Sequence, residues 1–393
     1  MKNRIKNKLL CFIGHYLPDY TSGGPVRSIE NFVNLLGDEF DIKIVCSNHD
    51  SLKKKLFKNI KNDVWQRVGK ASVFYASKNT LNLRGIKKLM SETTHDFLYI
   101  NSFFSYKFSL LPLIARKFKN VSCAPCIIAP RGEFSTGAIK IKFFKKKCYL
   151  LILKLLGLSK GLFWQASSNF EKKDIIREIG SIAKHIYIAP NLTSPILNVD
   201  LKITKIRKPG QLRILFLSRI SPKKNLSFIL RVLLKINFPL ELSIYGPKSD
   251  LFYWKKCLNL INKLPSNINV IIKDEVSNNQ VQKIFERHDL FVFPTLGENF
   301  GHVIFESLKS STPVLVSDQT PWLSNAEGGL QVLSLDENKW INTINEWTKF
   351  DDNILLKKRK EAIKYILNYC NNSTALKQNK KLFNSILNNK SIV

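Results

Sequence analysis

The sequence predicts an α/β protein made of two doubly wound domains. Along most of the chain, short apolar β-rich runs alternate with longer amphipathic segments, which is the pattern of βαβ units around a parallel sheet. The alternation stops over residues 196–210 and then starts again. A chain of 393 residues with 44% hydrophobic residues is also too large for one compact core, so we expect two cores.

The pattern in the first half of the sequence predicts a Rossmann-like domain over residues 1–195. Amphipathic runs predict helices between the strands, for example over residues 25–36 and 169–179. The predicted strands cover residues 9–13, 42–46, 71–75, 97–100, 126–129, 163–166 and 186–189.

The second half predicts another Rossmann-like domain over residues 211–350, after a linker at 196–210 that has little apolar periodicity. Residues 351–393 are predicted to be helical and to pack back on the N-terminal domain, with a frayed amphipathic helix at the end. Two such domains facing each other predict a deep cleft lined by the carboxyl ends of both sheets. The predicted strands cover residues 213–218, 241–245, 269–272, 290–293 and 313–316.

Composition limits the classes of function. A formal net charge of +32 favours anionic partners such as nucleotides, nucleic acids or an acidic membrane surface, but it does not choose among them. No window reaches the roughly 18 uninterrupted apolar residues of a membrane-spanning helix, which argues against an integral membrane protein. Seven scattered cysteines without a disulfide pattern or a cleavable leader predict a reducing cytosol, with Cys123 and Cys126 as core thiols.

The most informative stretch is residues 293–318, because it carries two carboxylates across a glycine-bearing turn from strand to helix. Glu298 lies in the predicted loop and Glu306 lies more than one turn inside the following helix. Gly297 and Gly301 flank the loop, whose bare N–H groups could hold a phosphate. Both acids could instead be ordinary surface charges near a helix N-terminus.

Cations follow the first strand of the second domain. The segment FLSRISPKKN places Arg219 and Lys224 in one loop at a strand's carboxyl end, where doubly wound folds bind ligands. Arginine offers a fork of donors and lysine a point charge, and together they suit a diphosphate. A solvated basic turn is the alternative reading.

The first domain offers two candidate loops. Gly23 and Gly24 precede a proline suited to a helix start and allow a close approach to a phosphate, with His15 as a further polar candidate. The second loop carries Arg131, a candidate for binding a phosphate or an acceptor, and Glu133, which could orient a sugar hydroxyl.

Residues 139–160 contain seven lysines, no acid and several large apolar residues. This composition predicts a basic amphipathic helix. The helix could pack its apolar face on the core, or it could rest on anionic lipid.

Four segments, SRISPKKN, LSIYGPKSD, FPTLGENFGHVIFESL and VSDQTPW, together resemble the retaining glycosyltransferases of the GT-B fold, family 4 (glycosyl transferases group 1), especially bacterial enzymes of surface-polysaccharide assembly. Ser311, Asp274 and Leu192 depart from the family pattern at positions where glycine is common. The resemblance implies catalytic roles for Arg219, Lys224 and Glu298, which would hold the diphosphate and the hexose. It implies donor binding by Gly23, Gly24, Gly246, Lys273, Val276, Asn299, Phe300, Gly301 and Glu306, the last through ribose hydroxyls.

The implied reaction moves a hexose from a UDP- or GDP-linked donor to a lipid-linked glycan with retained anomeric configuration, as in synthesis of lipopolysaccharide O-antigen, capsule or exopolysaccharide. The N-terminal domain would bind the acceptor and the C-terminal domain the nucleotide sugar. No metal motif is present, so neither metal nor cofactor is expected. The expected location is the inner face of the cytoplasmic membrane, contacted by residues 139–160. A catalytically silent homologue and a basic nucleic-acid-binding protein are the alternatives.

Overall fold

The chain folds into two compact units. The computed structural model describes residues 6–19, 23–52, 54–140, 142–159, 161–180, 183–194, 196, 211–325 and 327–388. Unit 1 combines Met1–Ser194 with Thr374–Val393, and unit 2 is Pro195–Ser373. Of the predicted linker, only Ile196 belongs to the described part of the chain.

Among the described residues, unit 1 holds an eight-stranded sheet in the order β3-β4-β2-β1-β5-β6-β7-β8. All neighbouring strands pair in parallel except β3, which is antiparallel to β4. Parallel pairing requires crossovers on the sheet faces, and these are mostly helical. The strands are β1 (Asn7–Phe12), β2 (Phe40–Ser47), β3 (Trp65–Val68), β4 (Ala71–Ala76), β5 (Phe97–Asn101), β6 (Cys126–Ala129), β7 (Leu162–Ala166) and β8 (His185–Ile188).

Helices cover both faces of this sheet, so strands such as β5 and β6 are buried at every position. Side-chain caps set several helix starts, as where Ser168 accepts a hydrogen bond from the N–H of Glu171. The helices are α1 (Gly24–Leu36), α2 (Leu83–Glu92), α3 (Leu111–Ala115) after a π-helical turn (Tyr106–Leu110), α4 (Thr136–Lys140), α5 (Phe143–Leu155) and α6 (Asn169–Ile179).

The last helix of the chain, α13 (Ala375–Asn388), belongs to the core of unit 1. Phe383 is fully buried, and its ring centroid lies 5.0 Å from that of Phe40 and 5.2 Å from that of Phe97. Leu382 and Ile386 are buried beside it. The C-terminal residues therefore complete an apolar layer built mainly by the first 100 residues.

Among the described residues, unit 2 holds a six-stranded, wholly parallel sheet in the order β11-β10-β9-β12-β13-β14. The strands are β9 (Leu212–Leu217), β10 (Leu240–Tyr245), β11 (Ile268–Lys273), β12 (Leu290–Phe293), β13 (Val314–Ser317) and β14 (Leu330–Leu333). The helices are α7 (Leu226–Leu233), α8 (Leu251–Ile261), α9 (Asn278–Glu286), α10 (His302–Lys309), α11 (Glu337–Thr348) and α12 (Asp352–Asn371).

A buried charge cluster fastens α12 to this sheet. Arg213 at the start of β9 donates to Asp289 at the start of β12, from Nη2 to Oδ1 at 2.8 Å. Arg359 of α12 is only 6% exposed, and its Nη2 lies 3.8 Å from Asp289 Oδ1 while also donating to backbone carbonyls. Because a buried guanidinium needs such partners, these contacts fix the position of α12.

The predicted α/β class, with two mostly parallel sheets and a helical C-terminal segment, is confirmed. Predicted strands lie within one or two residues of the observed ones, but β3 and β14 were not predicted. The basic segment 139–160 is not one continuous helix, because Lys142 adopts a left-handed conformation (φ 56°) and α5 begins only at Phe143. None of the described helices is long and apolar enough to cross a membrane.

Candidate active site

The candidate site of unit 2 lies where the strand order of its sheet reverses. From β9 the chain moves outward to β10 and β11, and it then returns to place β12 on the opposite side of β9. The loops that follow β9 and β12 therefore leave the sheet side by side, which creates the crevice in which doubly wound sheets bind ligands.

Hydrogen bonds join these two loops. Asn225 adopts a left-handed conformation (φ 60°) at the start of α7, and its Nδ2 donates to the Pro294 carbonyl at 3.0 Å. The carbonyl of Lys223 accepts from Leu296 N at 2.8 Å and from Thr295 Oγ1 at 3.1 Å. These bonds hold the loop after β9, which carries Arg219 and Lys224, against the loop after β12, which carries Glu298.

Lys224 and Glu298 form an ion pair across the two loops. Their side chains are only 15% and 14% exposed, and Thr295 Oγ1 also donates to Glu298 Oε1 at 3.2 Å. Burial by itself raises the pKa of Glu298, but the nearby Lys224 and Lys223 together outweigh it and leave that pKa below its usual value. Glu298 is therefore a carboxylate at neutral pH, and the structure brings together two predicted catalytic residues.

Arg219 lies in the same loop as Lys224 but is exposed. Its guanidinium makes no hydrogen bond or ion pair with any residue that the structure describes. An arginine with free donors beside the switch point is available to a ligand.

The N-terminus of α10 follows the acidic loop. Gly301 adopts a left-handed conformation (φ 80°) there, and no side chain caps the helix. The positive end of the helix dipole lies at this terminus and favours an anion. Trp322 Nε1 donates to the Phe300 carbonyl, which fixes the turn. Glu306, on the second turn of α10, is half-buried.

Gly246, after β10, approaches the β9 loop too closely for any side chain. A Cβ on Gly246 would lie 1.9 Å from the Ser218 carbonyl oxygen, and its φ of 139° also disfavours L residues. Exposed Lys273 is the last residue of β11, and half-buried Val276 lies in the loop that follows. Lys248 and Asp274 form an ion pair that links the β10 and β11 loops.

In unit 1, Gly23 (φ 70°) precedes α1, and Gly24 is its first residue. His15 Nδ1 lies 3.4 Å from the carboxylate of Asp19 and 3.2 Å from the carbonyl of His49. Burial is the main cause that lowers the pKa of His15, so this ring is neutral at neutral pH.

Arg131 and Glu133 lie in the loop after β6, and both side chains are held by the chain itself. Glu133 accepts from Ser102 Oγ at 2.7 Å and from the N–H groups of Phe103 and Phe104 at 2.6 and 3.0 Å. Arg131 donates to three neutral acceptors. The described residues contain no group of three or more His, Cys, Asp or Glu suited to a metal ion.

Sequence reasoning found the charged residues of the unit 2 site but missed the residues that position them. Asn225 and Thr295 lie in the predicted loops, and neither was singled out. A signal existed for Asn225, because asparagine is one of the few residues that readily adopt the left-handed conformation found there.

Part of the chain matches a known family model. Residues 200–365 match the family model Glycosyl transferases group 1. The matched segment contains both loops of the unit 2 site. No curated protein sequence matches the chain significantly.

Solved structures share the fold over 96–98% of the chain. Anabaena Alr3699/HepE in complex with UDP-glucose has a TM-score of 0.69 at 15% identity, covering 97% of this chain and 99% of that one. Sucrose-phosphate synthase of Thermosynechococcus elongatus has a TM-score of 0.66 at 13% identity, covering 98% and 100%. The lipopolysaccharide outer core galactosyltransferase WaaB has a TM-score of 0.58 at 16% identity, covering 96% and 99%. The fold is GT-B, and the comparisons support a glycosyltransferase.

Proposed function

We propose that this protein is a retaining family 4 glycosyltransferase that moves a hexose from a UDP- or GDP-linked donor to a lipid-linked glycan in bacterial surface-polysaccharide synthesis. The observation that carries the proposal is the Lys224–Glu298 pair at the switch point of unit 2, beside exposed Arg219. The complexes of Anabaena Alr3699/HepE with UDP-glucose and with UDP and glucose support a nucleotide-sugar donor.

The proposed donor site uses both loops. Arg219 and Lys224 bind the diphosphate, helped by the N–H groups of Asn299, Phe300 and Gly301 near the α10 terminus. When Lys224 turns to the diphosphate, Glu298 is released to accept hydrogen bonds from the hexose hydroxyls. Glu306 binds the ribose hydroxyls, Gly246 lets the backbone approach the nucleotide, and Lys273 and Val276 border the base.

In the proposed reaction, the acceptor hydroxyl oxygen forms a bond to the anomeric carbon on the face from which the diphosphate departs. The bond between that carbon and the diphosphate oxygen breaks, and its electron pair stays on the diphosphate. The hydroxyl proton passes to a phosphate oxygen. The two cations stabilise the charge that accumulates on the leaving group, and the scheme uses no metal.

We assign acceptor binding to unit 1, where His15 lies in the β1 loop and Arg131 in the β6 loop. Gly23 and Gly24, at the start of α1, keep the proposed donor-binding role. The hydrogen bonds to Glu133 give it a second role, because they hold the chain that follows β5.

We also propose that α5 rests on an anionic membrane at the cytosolic face. Phe144, Leu151 and Leu155 are 81%, 56% and 75% exposed and recur at helical spacing. Exposed lysines flank them, at positions 142, 145, 147 and 154. Exposed aromatic and aliphatic side chains beside lysines are typical of helices that lie in the interface of an acidic leaflet.

A donor screen tests the enzymatic proposal. Release of nucleoside diphosphate is measured with UDP- and GDP-linked hexoses in the presence of lipid-linked oligosaccharide, and NMR of the product reports its anomeric configuration. One donor is expected to be turned over with retention. Arg219→Ala is expected to lower kcat by about 100-fold, as loss of one transition-state donor does. Arg287→Ala, which removes another exposed arginine of unit 2, is the control.

The same screen contains the outcomes that oppose the proposal. Equal turnover by Arg219→Ala and the wild type would remove the assigned role of Arg219. Absence of turnover with every donor would favour a catalytically silent homologue. Membrane binding is tested separately by sedimentation with vesicles that contain or lack anionic lipid, comparing the wild type with the Phe144→Ser, Leu155→Ser double variant.

A further inference from the structure

Arg131 is a cation that the fold positions but does not neutralise. It follows β6, and its side chain is half-buried. No carboxylate lies within ion-pair distance of its guanidinium among the residues that the structure describes. Burial removes part of the water that stabilises the charge of an arginine, so a partner that carries negative charge becomes more favourable.

Neutral groups hold the Arg131 guanidinium in place. Nε donates to Asn101 Oδ1 at 2.8 Å, Nη2 donates to the Tyr99 hydroxyl at 2.7 Å, and Nη1 donates to Asn191 Oδ1. These bonds use three of the five N–H groups of a guanidinium. The remaining two have no partner among the described residues.

Tyr99, one of the three acceptors, is fixed in turn by further hydrogen bonds. Tyr99 is 1% exposed and donates to Gln165 Oε1 at 2.6 Å, while Gln165 Nε2 donates to Asn379 Oδ1 of α13 at 3.2 Å. Asn191 is 5% exposed. A chain of oriented amides and a phenol therefore restrains the arginine, so little side-chain entropy is lost when a ligand binds.

The two nearby acids are committed elsewhere. Glu133 accepts from Ser102 and from the N–H groups that follow it. Glu171 accepts from Gly132 N and Ser167 N. The carboxylates of Glu133 and Glu171 thus accept hydrogen bonds mainly from backbone N–H groups. Neither of them pairs with the Arg131 guanidinium.

A second observation points to a ligand at the same place. Asn101 is 1% exposed, and its Nδ2 has no hydrogen-bond partner although its Oδ1 binds Arg131. A buried amide donor without a partner is rare and often indicates a missing ligand or water. Ser102 (φ 141°) and Arg131 (φ 55°) follow the paired ends of β5 and β6, and both are strained non-glycine residues. Such strain concentrates at functional sites.

We propose that Arg131, Asn101 and the groups that orient them form an oxyanion subsite of unit 1, which binds a phosphate or carboxylate group of a substrate. The two remaining N–H groups of Arg131 and the Nδ2 group of Asn101 are the donors. The subsite stands on this geometry alone. Only the source of the anion, either an acidic group on the acceptor or the diphosphate of the donor, rests on the proposed transfer reaction.

Titration calorimetry with inorganic phosphate on the full-length protein, at fixed ionic strength, tests the subsite without any turnover. Arg131→Gln is expected to weaken phosphate binding at least tenfold, since a hydrogen bond to a charged group contributes about 1.5–3 kcal/mol. Arg84→Gln removes the same charge from an exposed position on α2 and is expected to leave binding unchanged.

Asn101→Asp keeps the proposal testable if Arg131→Gln fails to fold. The aspartate preserves the side-chain size and the acceptor for Arg131 Nε, but it supplies the missing negative charge. It is therefore expected to weaken phosphate binding at least tenfold, as Arg131→Gln does. Wild-type phosphate affinity in a folded Asn101→Asp or Arg131→Gln variant, or no phosphate binding by the wild type, overturns the subsite.

Repeating the titration with saturating UDP identifies the source of the anion. Phosphate binding that persists, with UDP affinity unchanged in Arg131→Gln, assigns the subsite to an acidic acceptor. Competition by UDP, with weaker UDP binding in that variant, assigns it to the donor diphosphate. Donor turnover is measured in a separate experiment. Absence of phosphate binding therefore counts against the subsite, whereas absence of donor turnover counts against the transferase proposal.

Discussion

Replacing Glu298 by glutamine is expected to destabilise unit 2 and at the same time to free Lys224 for diphosphate binding. The glutamine keeps an acceptor for Thr295 Oγ1, whose bond to Glu298 is 3.2 Å long. It removes only the charge that pairs with Lys224. The substitution therefore separates the two roles of the pair, in folding and in ligand binding.

Burial sets the size of the effect on stability. Breaking a fully buried ion pair costs about 3–5 kcal/mol, whereas an exposed pair contributes about 0–1 kcal/mol. Because the two side chains are 15% and 14% exposed, the expected loss lies nearer the buried case. We expect the free energy of unfolding to fall by about 2–3 kcal/mol, and a double-mutant cycle with Lys224→Met to give a coupling of at least about 1 kcal/mol.

Nucleotide binding is expected to change in the opposite direction. In the wild type, a diphosphate must replace Glu298 as the partner of Lys224. Without that carboxylate, affinity for the free nucleoside diphosphate should rise by about tenfold, which corresponds to about 1.4 kcal/mol. Affinity for the sugar-linked nucleotide should fall relative to affinity for the free one, because the carboxylate proposed to bind the hexose is gone.

The pH dependence has a definite sign. The folded-state pKa of Glu298 is lowered, so its contribution to stability is fully present above the ordinary glutamate pKa of about 4.3 and is lost as pH falls through the lowered value. The difference in stability between the wild type and Glu298→Gln should thus be constant near neutral pH and should narrow only below about pH 4.

Chemical denaturation and calorimetric titration with UDP and GDP measure these quantities. Glu346→Gln, an exposed change of the same kind on α11, serves as the control. A coupling energy under about 0.3 kcal/mol, or loss of nucleotide binding in Glu298→Gln equal to that in Lys224→Met, would refute the reasoning.

Three further substitutions probe the framework. Gly246→Ala should abolish nucleotide binding and destabilise unit 2, because the new Cβ would lie 1.9 Å from the Ser218 carbonyl oxygen. The control is Gly14→Ala, whose Cβ would have no atom within 4 Å. It should change stability little in the same denaturation assay. Arg359→Met should lower the melting temperature and reduce the free energy of unfolding by about 2–4 kcal/mol, since Asp289 would lose a buried partner. An unchanged melting curve would show that this contact does not hold α12 on the sheet. Phe383→Ala should cost about 3–5 kcal/mol in unfolding, and a loss below about 1 kcal/mol would show that α13 is dispensable.

The sequence was sufficient to predict the α/β class and most strands because buried parallel strands are nearly continuous apolar runs. β6, with the sequence CIIA, is buried throughout and was placed correctly. β3, with the sequence WQRV, lies at a sheet edge with partly exposed side chains, so it carries neither a continuous apolar run nor alternation. β14 is equally short and mostly half-buried.

The candidate site was predictable only in part. Arg219 and Lys224 were found because two cations share one loop after a strand. The Lys224–Glu298 pair joins residues 74 positions apart, and local pattern does not encode such a contact. The same limit applies to Arg131, because two of its three acceptors lie in β5 and the third lies in the loop that follows β8.

The return of the chain to unit 1 through α13 has a consequence for biosynthesis. A ribosome releases the residues that complete this sheet's apolar layer only after all of unit 2 has been made. Until then, Phe40 and Phe97 lack the aromatic ring that covers them in the finished protein. Until α13 is synthesised, the nascent N-terminal half therefore exposes apolar surface. A premature stop codon just before Thr374 would destabilise the half of the molecule that was synthesised first.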